Sequence, residues 1–110
     1  MKRVVIESPY AADCQWQIAD NVKYAQKAVK DSLLRGEAPI ASHLLYTQDS
    51  ILNDSIPCER VMGISAGLAW IAKADLLAVY TDRGVSPGML MGVNEADLFG
   101  IPVEYREIEG

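Results

Sequence analysis

Short apolar runs alternate along the chain with stretches of helical periodicity, and this alternation predicts the elements. Residues 3–8, Arg-Val-Val-Ile-Glu-Ser, form a β-branched run cut off by Ser8-Pro9-Tyr10, the pattern of a buried strand that ends in a loop. Asp20 or Asn21 can cap a helix in which Val22, Ala25, Val29 and Leu33 recur at helical spacing while Lys23, Lys27, Lys30 and Arg35 fill the other face. Gly36 should stop it. Residues 38–42 are a second short strand, followed by the longest irregular stretch, 43–57, whose Asp, Asn, Ser and Pro discourage a long regular element. Long loops in compact domains are often functional. Pro57 suits the first turn of a second helix with an apolar stripe of Val61, Ile64, Leu68 and Ile71. Gly63 and Gly67 lower its helix propensity, which points to close packing on the sheet or on a second subunit. Residues 75–81 are apolar on both faces, as a central parallel strand must be. Ser86 as N-cap, Pro87 at the first helical position and Gly100 as the stop define a third helix, and residues 101–108 a last strand.

The order β-α-β-α-β-α-β implies a single α/β domain over residues 1–110. It should be a small doubly wound, flavodoxin- or Rossmann-like fold with a four-stranded parallel sheet, strand order 2-1-3-4, and helices on both faces. A net charge of -5 and a pI near 4.7 argue against a nucleic-acid partner, which needs a basic face. No leader pattern or membrane-length apolar run is present, so the expectation is a soluble, cytoplasmic protein without a membrane partner. Cys14 and Cys58 are far apart and outside metal-ligand spacing, so neither a disulfide, a metal site nor a cofactor is called for. Met62, Leu68 and Trp70 offer more apolar surface than one stripe on a sheet uses, which predicts a homo-oligomer.

In such a sheet ligands bind beyond the carboxyl ends of the strands, where the strand order reverses. The rule selects Ser8, Pro9 and Tyr10 after strand one, Ser42, His43 and their neighbours after strand two, and Thr81 and Asp82 through Gly88 after strand three. Ser86, Gly88 and Met89 would present free N–H groups to an anion at a helix start, or simply begin a helix. His43, the single histidine, is a candidate donor or general acid, or a structural residue. Asp82 can accept from a ribose hydroxyl or cap its own loop. Tyr10 and Trp16 are candidates for stacking on a base, and Trp70 for core or interface.

At these residues the sequence resembles the small nucleoside 2-deoxyribosyltransferase-like proteins of phage and bacterial genomes. The resemblance is carried by Ser-Pro-Tyr at 8–10, Asn-Val-Lys-Tyr-Ala at 21–25, the segments 35–45 and 62–75, and Ser-Pro-Gly-Met at 86–89 followed by Gly-Ile-Pro-Val at 100–103. It implies a helix-borne glutamate nucleophile three residues after that methionine, where this chain has Gly92. Glycine cannot form a glycosyl ester, so the resemblance and the missing carboxylate together favour a binder of a nucleotide or ADP-ribose-like molecule that leaves the ligand uncleaved. Sequestering or sensing a nucleotide signal in the host cytoplasm is the role expected of a phage protein of this kind. The alternatives are an N-glycosidase or deoxyribosyltransferase using Glu95 or Asp82, and a structural or interaction module.

Overall fold

The computed structural model describes residues 1–109. In chain order the elements are β1 (Arg3–Glu7), α1 (Gln15–Leu34), β2 (Ala38–Ile40), α2 (Ser42–Leu45), α3 (Pro57–Ile71), β3 (Leu76–Tyr80), α4 (Pro87–Phe99) and β4 (Val103–Arg106). The strands form one parallel sheet in the order β2-β1-β3-β4, the expected topology. β1 lies against β3 with Val5 beside Leu77 and Glu7 beside Val79. Side chains alternate between faces along a strand. Val4, Ile6, Ala78 and Tyr80 therefore pack with Tyr24 and Ala28 of α1, while Val5, Leu77 and Val79 pack with Ile71 of α3 and Met89 and Ala96 of α4. Every residue of β3 is buried, as its unbroken apolar run required.

The helix ends follow local chemistry. Ser86 accepts a hydrogen bond from the Met89 N–H, Pro87 occupies the first turn, and Gly100 closes α4 in a left-handed conformation, φ +68°, that glycine adopts without strain. α1 begins at Gln15, ahead of the caps expected at Asp20 or Asn21, and its N-cap Cys14 makes no side-chain cap bond. Its buried face is Tyr24, Ala25, Ala28 and Ser32, and Leu33 is 54% exposed. Two alanines let the helix sit close to the sheet, and the two hydroxyls find acidic partners, Asp82 for Tyr24 and Glu37 for Ser32. The expected second strand ends early because Ser42 already starts α2, a single turn inside the stretch read as irregular.

Gly67 and Gly63 serve close packing, against α2 and the loop after it rather than against the sheet. A Cβ on Gly67 would come within 2.6 Å of Ser42 Oγ, and one on Gly63 within 3.3 Å of Leu52, so α3 lies tightly on α2 and on the loop after it. α3 otherwise covers the sheet thinly. Ile71 is buried, but Val61 is 62% exposed, so the expected stripe does not all face inward.

On the α1 side a buried ion pair braces the outer strands. Arg106, at the end of β4, donates to both carboxylate oxygens of Glu37 at 2.7 and 2.8 Å and to the Tyr80 hydroxyl at 3.1 Å. The guanidinium holds the Glu37 carboxyl down at about 2. Removing one member of such a pair leaves the other charge buried and uncompensated. Arg106→Ala should therefore cost about 3 kcal/mol or more, read as a lowered denaturant midpoint. An unchanged midpoint would show the brace to be dispensable.

Candidate active site

The strand order reverses between β1 and β3, and a cavity of about 240 Å³ opens at their carboxyl ends. Its lining includes Glu7, Ser8 and Tyr10 from the end of β1, Ser42 and His43 from α2, and Ser86, Gly88 and Met89 from the start of α4. Most of the expected binding residues thus meet in one place. Pro9 and Asp82 are not among the lining residues. A second, wider groove of about 800 Å³ continues past Tyr10 between the start of α1, the loop 47–55 and the first turn of α3.

The residue that gives this cavity chemical character is Glu7. The strand period places it on the same face as Val5, toward α3 and α4. There its side chain fills the space above Gly92. A Cβ built on Gly92 would lie 2.8 Å from the Glu7 carboxyl carbon and 3.1 Å from its Cγ, with Oε2 nearer still. The carboxyl makes no hydrogen bond to any described residue, and burial pushes its pKa up to about 8. An unpaired carboxyl in a cleft, its pKa raised by desolvation, makes Glu7 a candidate functional group.

Beside it, Ser8 and His43 share a hydrogen bond of 2.8 Å between Oγ and Nε2, with Tyr10 edge-on to the imidazole at 6.4 Å between ring centres. Burial lowers His43 to about 4, so the ring is neutral at physiological pH and is not a ready general acid. The short α2 turn fixes it through the Thr47 hydroxyl, which donates to the His43 carbonyl.

The α4 N-terminus offers less to an anion than the sequence implied. Met89 N–H donates to Ser86 Oγ and Ser86 N–H points to Met89 Sδ, both at 3.3 Å, and Pro87 has no N–H. Gly88 N–H is the one donor of the expected three that stays free among the described residues.

A family model described as a domain of unknown function, DUF7768, matches residues 2–106. The chain belongs to the DUF7768 family. None of the curated proteins matches it. Among solved structures, the DUF7768 chain is similar to a 2-deoxyribosyltransferase from Bacillus psychrosaccharolyticus, at 16% identity and a TM-score of 0.64 over 96% of this chain and 72% of the other. It is also similar to a CMP N-glycosidase from Clostridium botulinum, at 15% identity and a TM-score of 0.53 over 98% and 70% of the two chains. At these identities the likeness is one of fold, and it bears out the doubly wound, nucleoside 2-deoxyribosyltransferase-like architecture expected from the sequence.

The other carboxylates considered from the DUF7768 sequence lie elsewhere. Asp82 accepts from the Tyr24 hydroxyl at 2.6 Å and from the Ile108 and Glu109 N–H groups at 2.9 and 2.8 Å, so it ties the C-terminal segment to the loop after β3. Glu95 does not line the cavity. Trp16 is 86% exposed and lines neither cavity nor groove, and Trp70, half-exposed, donates to the Tyr46 hydroxyl instead of entering the core. Glu7 is the residue that sequence reasoning passed over. Its signal was a lone acidic residue at the carboxyl end of an otherwise apolar strand, on the inward-facing period, in a chain that lacks the acid expected on the helix opposite.

Proposed function

We propose that this protein breaks the N-glycosidic bond of a nucleoside or nucleotide, with the Glu7 carboxylate acting at the anomeric carbon. One observation carries the reading: the Glu7 side chain occupies the volume that a side chain at position 92 would fill. The nucleoside 2-deoxyribosyltransferase-like resemblance expects a glutamate at 92. Here the carboxyl reaches the same volume from the facing strand, so Gly92 no longer argues against glycosyl chemistry. An ionised Glu7 can form a glycosyl ester or stabilise an oxocarbenium ion. Ser8, Tyr10 and the neutral His43 supply hydroxyl, aromatic and imidazole surface for a sugar.

Binding without cleavage is a second reading, favoured by the raised pKa of Glu7, since a neutral acid donates a hydrogen bond instead of attacking. Chromatography and thermal shift on the same mixtures of nucleosides and nucleoside monophosphates separate the two. Free base supports cleavage, stabilisation without free base supports the binder, and neither effect with any of them rejects the pocket for this ligand class.

Assembly belongs to the same proposal. Val61, Met62, Trp70, Leu90 and Met91 are each between 44% and 62% exposed on α3 and α4, the helices that wall the cavity. These exposed apolar side chains on two neighbouring helices support a homo-oligomer. Light scattering at micromolar concentration should give at least twice the chain mass of 12.0 kDa; a monomer mass would count against assembly.

A further inference from the structure

We propose that the site prefers N-glycosides whose base carries a fixed positive charge, the simplest being an N-ribosylated pyridinium, over neutral nucleosides. The inference rests on the glycosidic reading above and adds the charge of the leaving group. Cleaving a neutral nucleoside calls for two groups, a carboxylate at the anomeric carbon and an acid that protonates the departing base. Glu7 cannot be both at once. The titratable and charged groups that line the cavity with it are Tyr10, His43, Tyr46, Asp54, Glu59 and Arg60. His43 is held neutral and engaged with Ser8, and Glu59 accepts from the Asn53 N–H at 3.0 Å at the outer end. Arg60 is the one basic residue among them, and the helix start leaves a single free N–H, so the cavity has little with which to hold an anion.

A cationic base removes both difficulties. Its positive charge beside the unpaired Glu7 carboxyl favours the carboxylate form, and the proton leaves to solvent on binding. The C1′–N bond then breaks with its electron pair passing to the ring nitrogen, which departs as a neutral pyridine without being protonated. Glu7 forms the C1′–O ester bond. Water then attacks C1′, the ester electron pair returns to the carboxylate, the water proton goes to solvent, and Glu7 takes up again the proton it released on binding, so the net products are ribose, pyridine and one proton. Asp49 and Asp54 in the adjoining groove lie on the same side of the charge preference.

The test uses the full chain with N-ribosylnicotinamide and, in parallel, inosine, uridine and 2′-deoxyuridine. Base release is followed by chromatography and binding by calorimetry in two buffers of different ionisation enthalpy. A downward shift of one unit from about 8 raises the ionised fraction of Glu7 at pH 7 about fivefold, so base release from the pyridinium should exceed that from any neutral nucleoside by about that factor at pH 7. The kcat profile with the pyridinium should rise at lower pH than the kcat/KM profile, which reports the free protein. Binding of the pyridinium should release a proton, and Glu7→Gln should abolish that release. Equal or faster release of base from neutral nucleosides overturns the charge preference while the glycosidic reading stands. Absence of free base from every compound overturns the glycosidic reading, and absence of a calorimetric preference for the pyridinium in that case removes the charge preference as well.

Discussion

Glu7→Gln should abolish base release and, at the same time, make the fold more stable at neutral pH. Loss of an attacking carboxylate costs on the order of a thousandfold or more in turnover. The stability effect has the opposite sign. Burial raises Glu7 from 4.5 to about 8, so between those two values the folded chain holds a proton that the unfolded chain has lost. Stability falls with rising pH wherever the native state binds more protons, so the wild type should weaken steadily from about pH 5 to about pH 8. Glutamine copies the protonated acid in shape and charge but does not titrate. At pH 7 the variant should gain about 3 kcal/mol, an order-of-magnitude figure, or about 10 °C in melting temperature, and at pH 4 the two proteins should melt alike. If Glu7 is the reactive group proposed above, this cost is the trade between stability and activity expected of it. Unchanged turnover in Glu7→Gln would remove Glu7 from the chemistry. A flat difference in melting temperature across pH would show that its carboxyl is not desolvated.

Much of the architecture was legible because it is written in local signals. The unbroken apolar run at 76–80 declared a central parallel strand, and Ser86, Pro87 and Gly100 marked the ends of α4 nearly to the residue. Both depend on residues close in sequence. α1 was harder, because Cys14 carries none of the usual cap chemistry and the helix is held by Tyr24, Ala25 and Ala28 against the sheet rather than by its own start signal. The cavity could be placed from topology alone, and Ser8, Tyr10, Ser42, His43, Ser86, Gly88 and Met89 were found there. The Glu7 carboxyl inside it was not. Seeing Glu7 requires knowing that α4 brings Gly92 against the Glu7 side chain at the end of β1, a long-range packing fact that no local pattern contains. Gly92 alone looks like a missing acid, and Glu7 alone looks like a polar strand end. Met89 misled in the same way, since its N–H was counted for a ligand although the Ser86 side chain already takes it.

The complementarity of those two positions can be tested by exchanging them. Gly92→Glu by itself should be severely destabilising, because its Cβ would sit 2.8 Å from the Glu7 carboxyl carbon and two carboxyls would share one buried volume. Overpacking and an uncompensated buried charge each cost about 1–3 kcal/mol or more, well beyond the roughly 1 kcal/mol of helix propensity gained by replacing a glycine within α4. Combining it with Glu7→Ala empties that volume and places a carboxyl there again, now carried by α4. The double variant should recover a cooperative melt and regain base release lost in Glu7→Ala, to within about a hundredfold of wild type, since a displacement of about 1 Å at a reacting group costs on that order. A double variant that folds but stays as inactive as Glu7→Ala, measured against an active wild type, would mean that the carboxyl must come from β1, and that Glu7 does something a helix-borne acid in the same volume cannot do.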